Sequence, residues 1–191
     1  MSEPWKTTLE EDRAALGALL RERSVRFGKF TLASGKESDF YVDCKQTMLT
    51  AEGHRLIGRL MLARVPESIR AVGGLTLGAD PLASAVSCIS ALAGRPVDAL
   101  IVRKEPKGHG TGQWVEHPGL PEGTEVVVVE DVITTGGSSL KAIERLRASG
   151  FVPRKVLALV DRQEGGREAL EAEGVEVEAL FCRSDLEEPS S

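Results

Sequence analysis

The period of the hydrophobic positions changes several times along the chain, and each change marks an element. Leu9, Leu16 and Leu20 recur at helical spacing with Leu19 beside them, behind a Thr8…Glu11 pair at capping-box spacing. This predicts a helix of about four turns that ends before Phe27-Gly28. Residues 27–44 differ: Phe30, Leu32, Phe40, Tyr41 and Val42 sit among Gly28, Ser34, Gly35 and Ser38. The pattern predicts two short strands, or a strand and an ordered loop. Four of the chain's eight aromatic residues fall here, as expected for a small subdomain with its own apolar face.

From Thr50 the pattern alternates between helix and strand. Leu56, Ile57, Leu60 and Met61 predict a helix that stops near Pro66, and Ile69–Val72 a short strand. Asp80-Pro81 predicts a helix start with Asp80 as N-cap, running to Gly94. Strands are predicted at 97–102, 125–129, 155–160 and 175–181. Helices are predicted around Leu140–Leu146, ended by Gly150, and at 168–173. The acidic tail from Ser184 is expected to fray. Such alternation implies an α/β fold: a mostly parallel sheet between helical layers, with ligands at the carboxyl ends of its strands. Those ends lie just after Val72, Val102, Val129 and Val160.

Composition narrows the class. The chain has 191 residues, 24 Lys plus Arg and 29 Asp plus Glu, so its formal net charge is −5. Apolar residues make up 41%, too many for a disordered chain. The longest aliphatic run, Val126–Val129, is far shorter than a bilayer span, and no secretory signal is read at the N-terminus. Three widely spaced cysteines, Cys44, Cys88 and Cys182, fit reduced core thiols in a cytoplasmic protein. The mild acidity argues against a nucleic-acid partner. It leaves room for an anionic small molecule held by a few local cations.

The strongest chemical signal is Glu130-Asp131-Val132-Ile133-Thr134-Thr135-Gly136-Gly137-Ser138, directly behind the valine run. A buried strand delivers two carboxylates into a Thr/Gly/Ser loop, and a helix follows at once. Glycines admit backbone N–H groups close to an anion, and the helix N-terminus and hydroxyls add to the attraction. This predicts a phosphate cradle that is neither a Walker loop nor a Rossmann fingerprint. The acids, which a phosphate would repel, are expected to face a ribose. The plainer alternative is a turn followed by a serine cap.

The motif resembles the signature of the type I phosphoribosyltransferases, and most closely that of their orotate branch. The resemblance implies the family fold, with a small N-terminal hood over a central sheet. It implies a loop at 130–138 that holds the 5-phosphate of phosphoribosyl pyrophosphate (PRPP). Arg103-Lys104-Glu105-Pro106-Lys107-Gly108-His109-Gly110 opens an aperiodic stretch of 21 residues containing five glycines and three prolines. A loop that long in a compact domain is usually functional, although a solvated charge run is the ordinary reading of a basic cluster. The R-K-x-x-K-x-H-G spacing is similar to the family's mobile catalytic loop, here 103–123. The resemblance implies that Arg103, Lys104, Lys107 and His109 bind PRPP. It also implies a homodimer in which this loop is shared across subunits.

Two further segments extend the resemblance. Asp161-Arg162-Gln163-Glu164-Gly165 puts an arginine fork at a strand end, and the resemblance sets Arg162 against the orotate carboxylate with Thr134 against the ring. Phe27–Asp43 looks like the family's hood. The implied organisation is a hood of roughly 1–45 plus the C-terminal strand region and a core of roughly 46–166. The implied reaction transfers phosphoribose from PRPP to orotate. Asp131 and Lys107 are its catalytic groups, and Mg²⁺ is carried mainly on PRPP, with no protein metal ligands. Two departures stand out: Ala33 where many members have lysine, and no cation in Gly73–Asp80. Lys36 is the nearest substitute. A different base, or a PRPP-sensing regulator without catalysis, remains a rival reading.

Overall fold

The computed structural model describes residues 6–31, 37–106 and 113–187, so Ala33 and Lys36 lie outside the described residues. Helix α1 (Leu9–Arg23) begins at the expected capping box, with Glu11 N–H donating to Thr8 Oγ1 at 3.2 Å and Thr8 N–H to Glu11 Oε2 at 2.7 Å. Leu16 and Leu20 are fully buried, but Leu9 on the overhanging first turn is 46% exposed. Buried Asp12 completes the face. It accepts from Arg59 Nε at 2.6 Å and Thr7 Oγ1 at 2.7 Å, joining α1 to α3 (Ala51–Leu62).

The hood is an antiparallel hairpin of β1 (Val25–Thr31) and β2 (Glu37–Val42), whose register shifts between Phe27 and Phe30. A one-turn helix, α2 (Lys45–Met48), links it to α3. The main sheet comprises β3 (Ala71–Leu75), β4 (Asp98–Val102), β5 (Val115–Glu116), β6 (Glu125–Ile133), β7 (Val152–Asp161) and β8 (Glu176–Cys182) in the order β5-β4-β3-β6-β7-β8. Every pairing is parallel except β4–β5.

One buried cluster joins α1, α3, the hood and α4 (Ala79–Leu92) to one sheet face. The other packs α5 (Gly137–Ala148) and α6 (Gly166–Glu171) on the opposite face. The central strands are therefore apolar on both sides, as the valine run requires. Among the described residues no helix is long and apolar enough to cross a membrane. Strand β3 lies between β4 and β6, so the chain reverses direction across the sheet there. The crevice at such a reversal is where α/β sheets bind ligands.

Several expectations are corrected. The stretch 103–123 is not all loop: Val115–Glu116 folds back as β5, Arg103 N–H donates to Trp114 O at 2.9 Å, and Arg145 stacks 4.2 Å over the Trp114 ring. A two-residue strand leaves no period to detect. Asp80 is not the N-cap of α4, because the helix starts two residues earlier, at Ala79 behind Gly78, and Asp80 instead accepts from Thr76 Oγ1 at 2.6 Å. Ser184 does not begin a frayed tail. It lies in α7 (Arg183–Leu186), seated by fully buried Leu186, with Cys182 N–H donating to Asp185 Oδ2 at 2.9 Å. Of the cysteines only Cys44 is a core thiol; Cys88 is exposed and Cys182 half-buried.

Candidate active site

Strand β6 runs through both acids to Ile133, so Glu130 and Asp131 point to opposite faces of the sheet. Glu130 sits under α5, only 6% exposed, and accepts from Ser139 Oγ at 2.6 Å. Burial pushes its carboxyl up to about 8, and the neighbouring Asp131 charge adds to this against the Ser139 hydrogen bond. Asp131 is half-buried on the face toward the β3–α4 loop and accepts from Val132 N–H at 2.9 Å. Its carboxylate occupies the space a side chain at Gly78 would take: a Cβ there would meet Asp131 Oδ1 at 2.6 Å. Beneath it, the Cys44 thiol donates to Asp131 O at 3.7 Å. Burial holds that thiol well above its ordinary pKa, and so protonated.

The Thr134–Gly136 loop then turns into α5. Gly136 adopts a φ of 82°, which only glycine takes up without strain, and Gly137 opens the helix with free space where a side chain would be. The loop is seated by close packing. Gly166 approaches so nearly that a Cβ on it would strike Ile133 Cγ2 and Thr134 O at 2.5 Å and Gly136 N at 2.8 Å. Ile133 itself is core, so only its backbone faces the loop, and Val132 is half-buried against the opposite cluster. Thr135, Gly137 and Ser138 are exposed and Thr134 half-exposed, leaving hydroxyls and the first N–H groups of α5 toward the crevice.

Arg162 leaves β7 beside this loop. It is 6% exposed; its backbone N–H donates to Ile133 O at 2.9 Å, and its Nη2 reaches Ser38 Oγ and Phe40 O, both at 3.1 Å, and Glu164 Oε1 at 2.8 Å. Its Nε is buried without a partner among the described residues. A cleft of about 620 Å³ opens here, lined by Lys29, Glu37, Ser38 and Asp39 of the hood, Thr135 of the glycine loop, Glu164 and Arg183. A second hollow of about 420 Å³ lies at the ends of β3 and β4. Its lining includes Thr76, the cations Arg103 and Lys104 and the carboxylates Asp80, Glu105 and Glu116, with Arg103 Nη1 paired to Glu116 Oε1 at 3.2 Å.

The strand ends therefore carry a glycine-rich loop at a helix start, a hollow of mixed charge and a hooded pocket backed by a buried arginine. The model of the phosphoribosyl transferase domain matches residues 46–176. The orotate phosphoribosyltransferase of Sorangium cellulosum is 55% identical over 92% of this chain and 93% of its own length. That of a Nostoc strain is 48% identical over 98% and 92%. The chain belongs to the orotate phosphoribosyltransferases. Among solved structures, the Mycobacterium tuberculosis orotate phosphoribosyltransferase in complex with PRPP superposes with a TM-score of 0.74 at 37% identity, covering 93% of this chain and 92% of that one.

Within this orotate phosphoribosyltransferase, the residues singled out from sequence separate into groups. Asp131, the Thr134–Ser138 loop and Arg162 meet at one crevice, and Arg103 and Lys104 line the second hollow. The expectation that both acids face a ribose is corrected for Glu130, which alternation along β6 turns under α5, and Ile133 is core. Lys107 and His109 lie outside the described residues. Lys29, Ser38, Thr76, Gly78, Cys44 and Arg183 were missed. Ser38 and Lys29 stood inside the hood motif. Thr76 and Gly78 stood inside the Gly73–Asp80 stretch, whereas Cys44 and Arg183 carry no local signal, because their placement comes from elements meeting in space.

Proposed function

We propose that this chain transfers the 5-phosphoribosyl group from PRPP to orotate, giving orotidine 5′-phosphate and pyrophosphate. The observation that carries the reading is the single cleft shared by Thr135 of the anion loop and Ser38 of the hood, with Arg162 behind it. A phosphate on the loop and a carboxylated base under the hood would then share that cleft.

The 5-phosphate takes the N–H groups and hydroxyls of 134–138, where helix dipole and glycine backbone favour an anion. Asp131 accepts from the ribose hydroxyls and stabilises positive charge at the anomeric carbon. Glu130, largely neutral and bonded to Ser139, fixes the strand end from behind. Arg162 and Thr134 orient orotate, the guanidinium facing its carboxylate. Arg103 and Lys104, which line the second hollow, together with Lys107 and His109, receive pyrophosphate as the bond from the anomeric carbon to its oxygen breaks and the orotate ring nitrogen forms the new bond to that carbon. Among the described residues no three His, Cys, Asp or Glu side chains converge as a metal site. By the family resemblance a Mg²⁺ would be carried mainly on PRPP, and it would supply charge neutralisation at the leaving group. The chain's own work is positioning and electrostatics, with no nucleophile. The loop acts from the neighbouring subunit of a homodimer, in keeping with the family resemblance.

The test is orotate's ultraviolet absorbance in the presence of protein, PRPP and Mg²⁺. PRPP-dependent loss is expected. No loss in protein that still binds PRPP overturns the assignment in favour of another base or a PRPP sensor.

A further inference from the structure

The roof of the hooded pocket is strand β2, and its two-stranded sheet shares no backbone ladder with the main sheet. Two arginines hold it. Asp161 pairs with Cys182, so the residues leaving β7 and β8 side by side are Arg162 and Arg183. The Arg162 guanidinium lies 5.8 Å from the centre of the buried Phe40 ring and the Arg183 guanidinium 5.2 Å from it. Arg162 bonds Ser38 Oγ and Phe40 O. Arg183 pairs its Nη2 with Asp39 Oδ1 at 2.8 Å, while its Nε is held by Glu187 Oε1 at 2.6 Å within α7. Three consecutive residues of the roof, Ser38, Asp39 and Phe40, are thus gripped by guanidiniums from two adjacent strand ends.

We infer that Arg183 is a positioning residue for the base: it clamps β2 so that Arg162 and the roof keep the alignment a carboxylated ring needs. The inference rests on reading this cleft as the orotate site. An ion pair to a carboxylate as exposed as that of Asp39, at 77%, contributes little to folding on its own. Its effect falls on the pocket, because the pair acts on the strand that supplies Arg162's acceptors. Planar guanidiniums suit this double duty, stacking on a ring while bonding a carboxylate. Arg183 also lines the cleft itself.

The experiment compares steady-state kinetics of Arg183→Gln, Asp39→Asn, the double variant and Arg162→Gln, with thermal melts of each. The expected result is an orotate KM raised about tenfold in Arg183→Gln, with kcat and the PRPP KM within about twofold. Asp39→Asn should move the orotate KM in the same direction, and the double variant should be no worse than Arg183→Gln alone, because both remove one contact. An unchanged orotate KM in Arg183→Gln overturns the inference. So does a parallel rise of both KM values with a lowered melting temperature, which marks a merely structural role. If Arg183→Gln fails to fold, Asp39→Asn decides alone: an unchanged orotate KM refutes the clamp. Arg162→Gln separates the two levels. If it too leaves the orotate KM unchanged, the reading of the cleft fails. If it raises that KM while Arg183→Gln does not, only the clamp fails.

Discussion

Gly78→Ala sets stability and activity against each other. The backbone at Gly78 is right-handed, with φ −61° and ψ −38°, so alanine meets no conformational penalty there. Alanine restricts the unfolded chain and should stabilise the fold by about 0.5 kcal/mol. Its Cβ, however, falls 2.6 Å from Asp131 Oδ1, 2.7 Å from Cγ and 2.9 Å from Oδ2, against ordinary contact from 3.4 Å. The deficit is roughly 0.8 Å, and the carboxylate can relieve it by rotating away, so folding is spared. The ribose-facing group then sits most of an ångström out of place. A misplacement of about 1 Å can cost a hundredfold in rate, so a fall of about tenfold to fiftyfold in kcat/KM for PRPP is expected, a barrier rise of about 1.4 to 2.3 kcal/mol. Initial rates over a PRPP series, with a urea melt on the same preparation, test this. Unchanged kcat/KM, or activity lost only in step with stability, refutes the placement of Asp131 against Gly78.

Three other predictions follow from single features. Glu130 titrates at about 8 when folded, above its ordinary 4.5, so the folded protein keeps a proton the unfolded chain has released; stability falls as pH rises from about 4.5 to about 8. Glu130→Gln removes that slope, so urea midpoints at pH 5, 6, 7 and 8 should show the variant gaining on the parent; parallel curves would refute it. Asp12→Ala strips a buried carboxylate from Arg59 and should cost about 3 kcal/mol in chemical denaturation, with kcat unchanged, since the pair lies between α1 and α3. Lys107→Ala should lower kcat by about a hundredfold at an unchanged melting temperature. Mixing it with Asp131→Asn should restore roughly a quarter of parental activity through hybrid dimers, and no restoration on mixing would rule out a shared loop.

Much of this was written locally. The valine run, two acids and a Thr/Gly/Ser loop before a helix specified a strand, a cradle and its depth in the sheet. What periodicity could not show was the separation of the acids. Strand β6 continues through Glu130 and Asp131 where polarity suggests an ending, and only that continuation sends one carboxyl under α5 and the other toward Gly78. Asp12 finds Arg59 across 47 positions, and the last of three consecutive acids in a helix's first turn reads as an ordinary surface acid. The C-terminal turn is polar apart from Leu186, so its helix and its Arg183 emerge only from packing against the hood.

The contact of Gly166 with the Thr134–Gly136 backbone makes the crevice a ruler. The loop that reads phosphate and the loop that begins with Arg162 touch with no side chain between them, so neither can slide without the other. On the proposed reading, that contact sets the span from phosphate to base carboxylate before any substrate arrives. A donor lacking its 5-phosphate, or lengthened by one methylene there, brings its anomeric carbon to the wrong mark even if every individual contact can form. The proposed site would thereby owe its selectivity for the length of the sugar phosphate to two glycines that need not touch it.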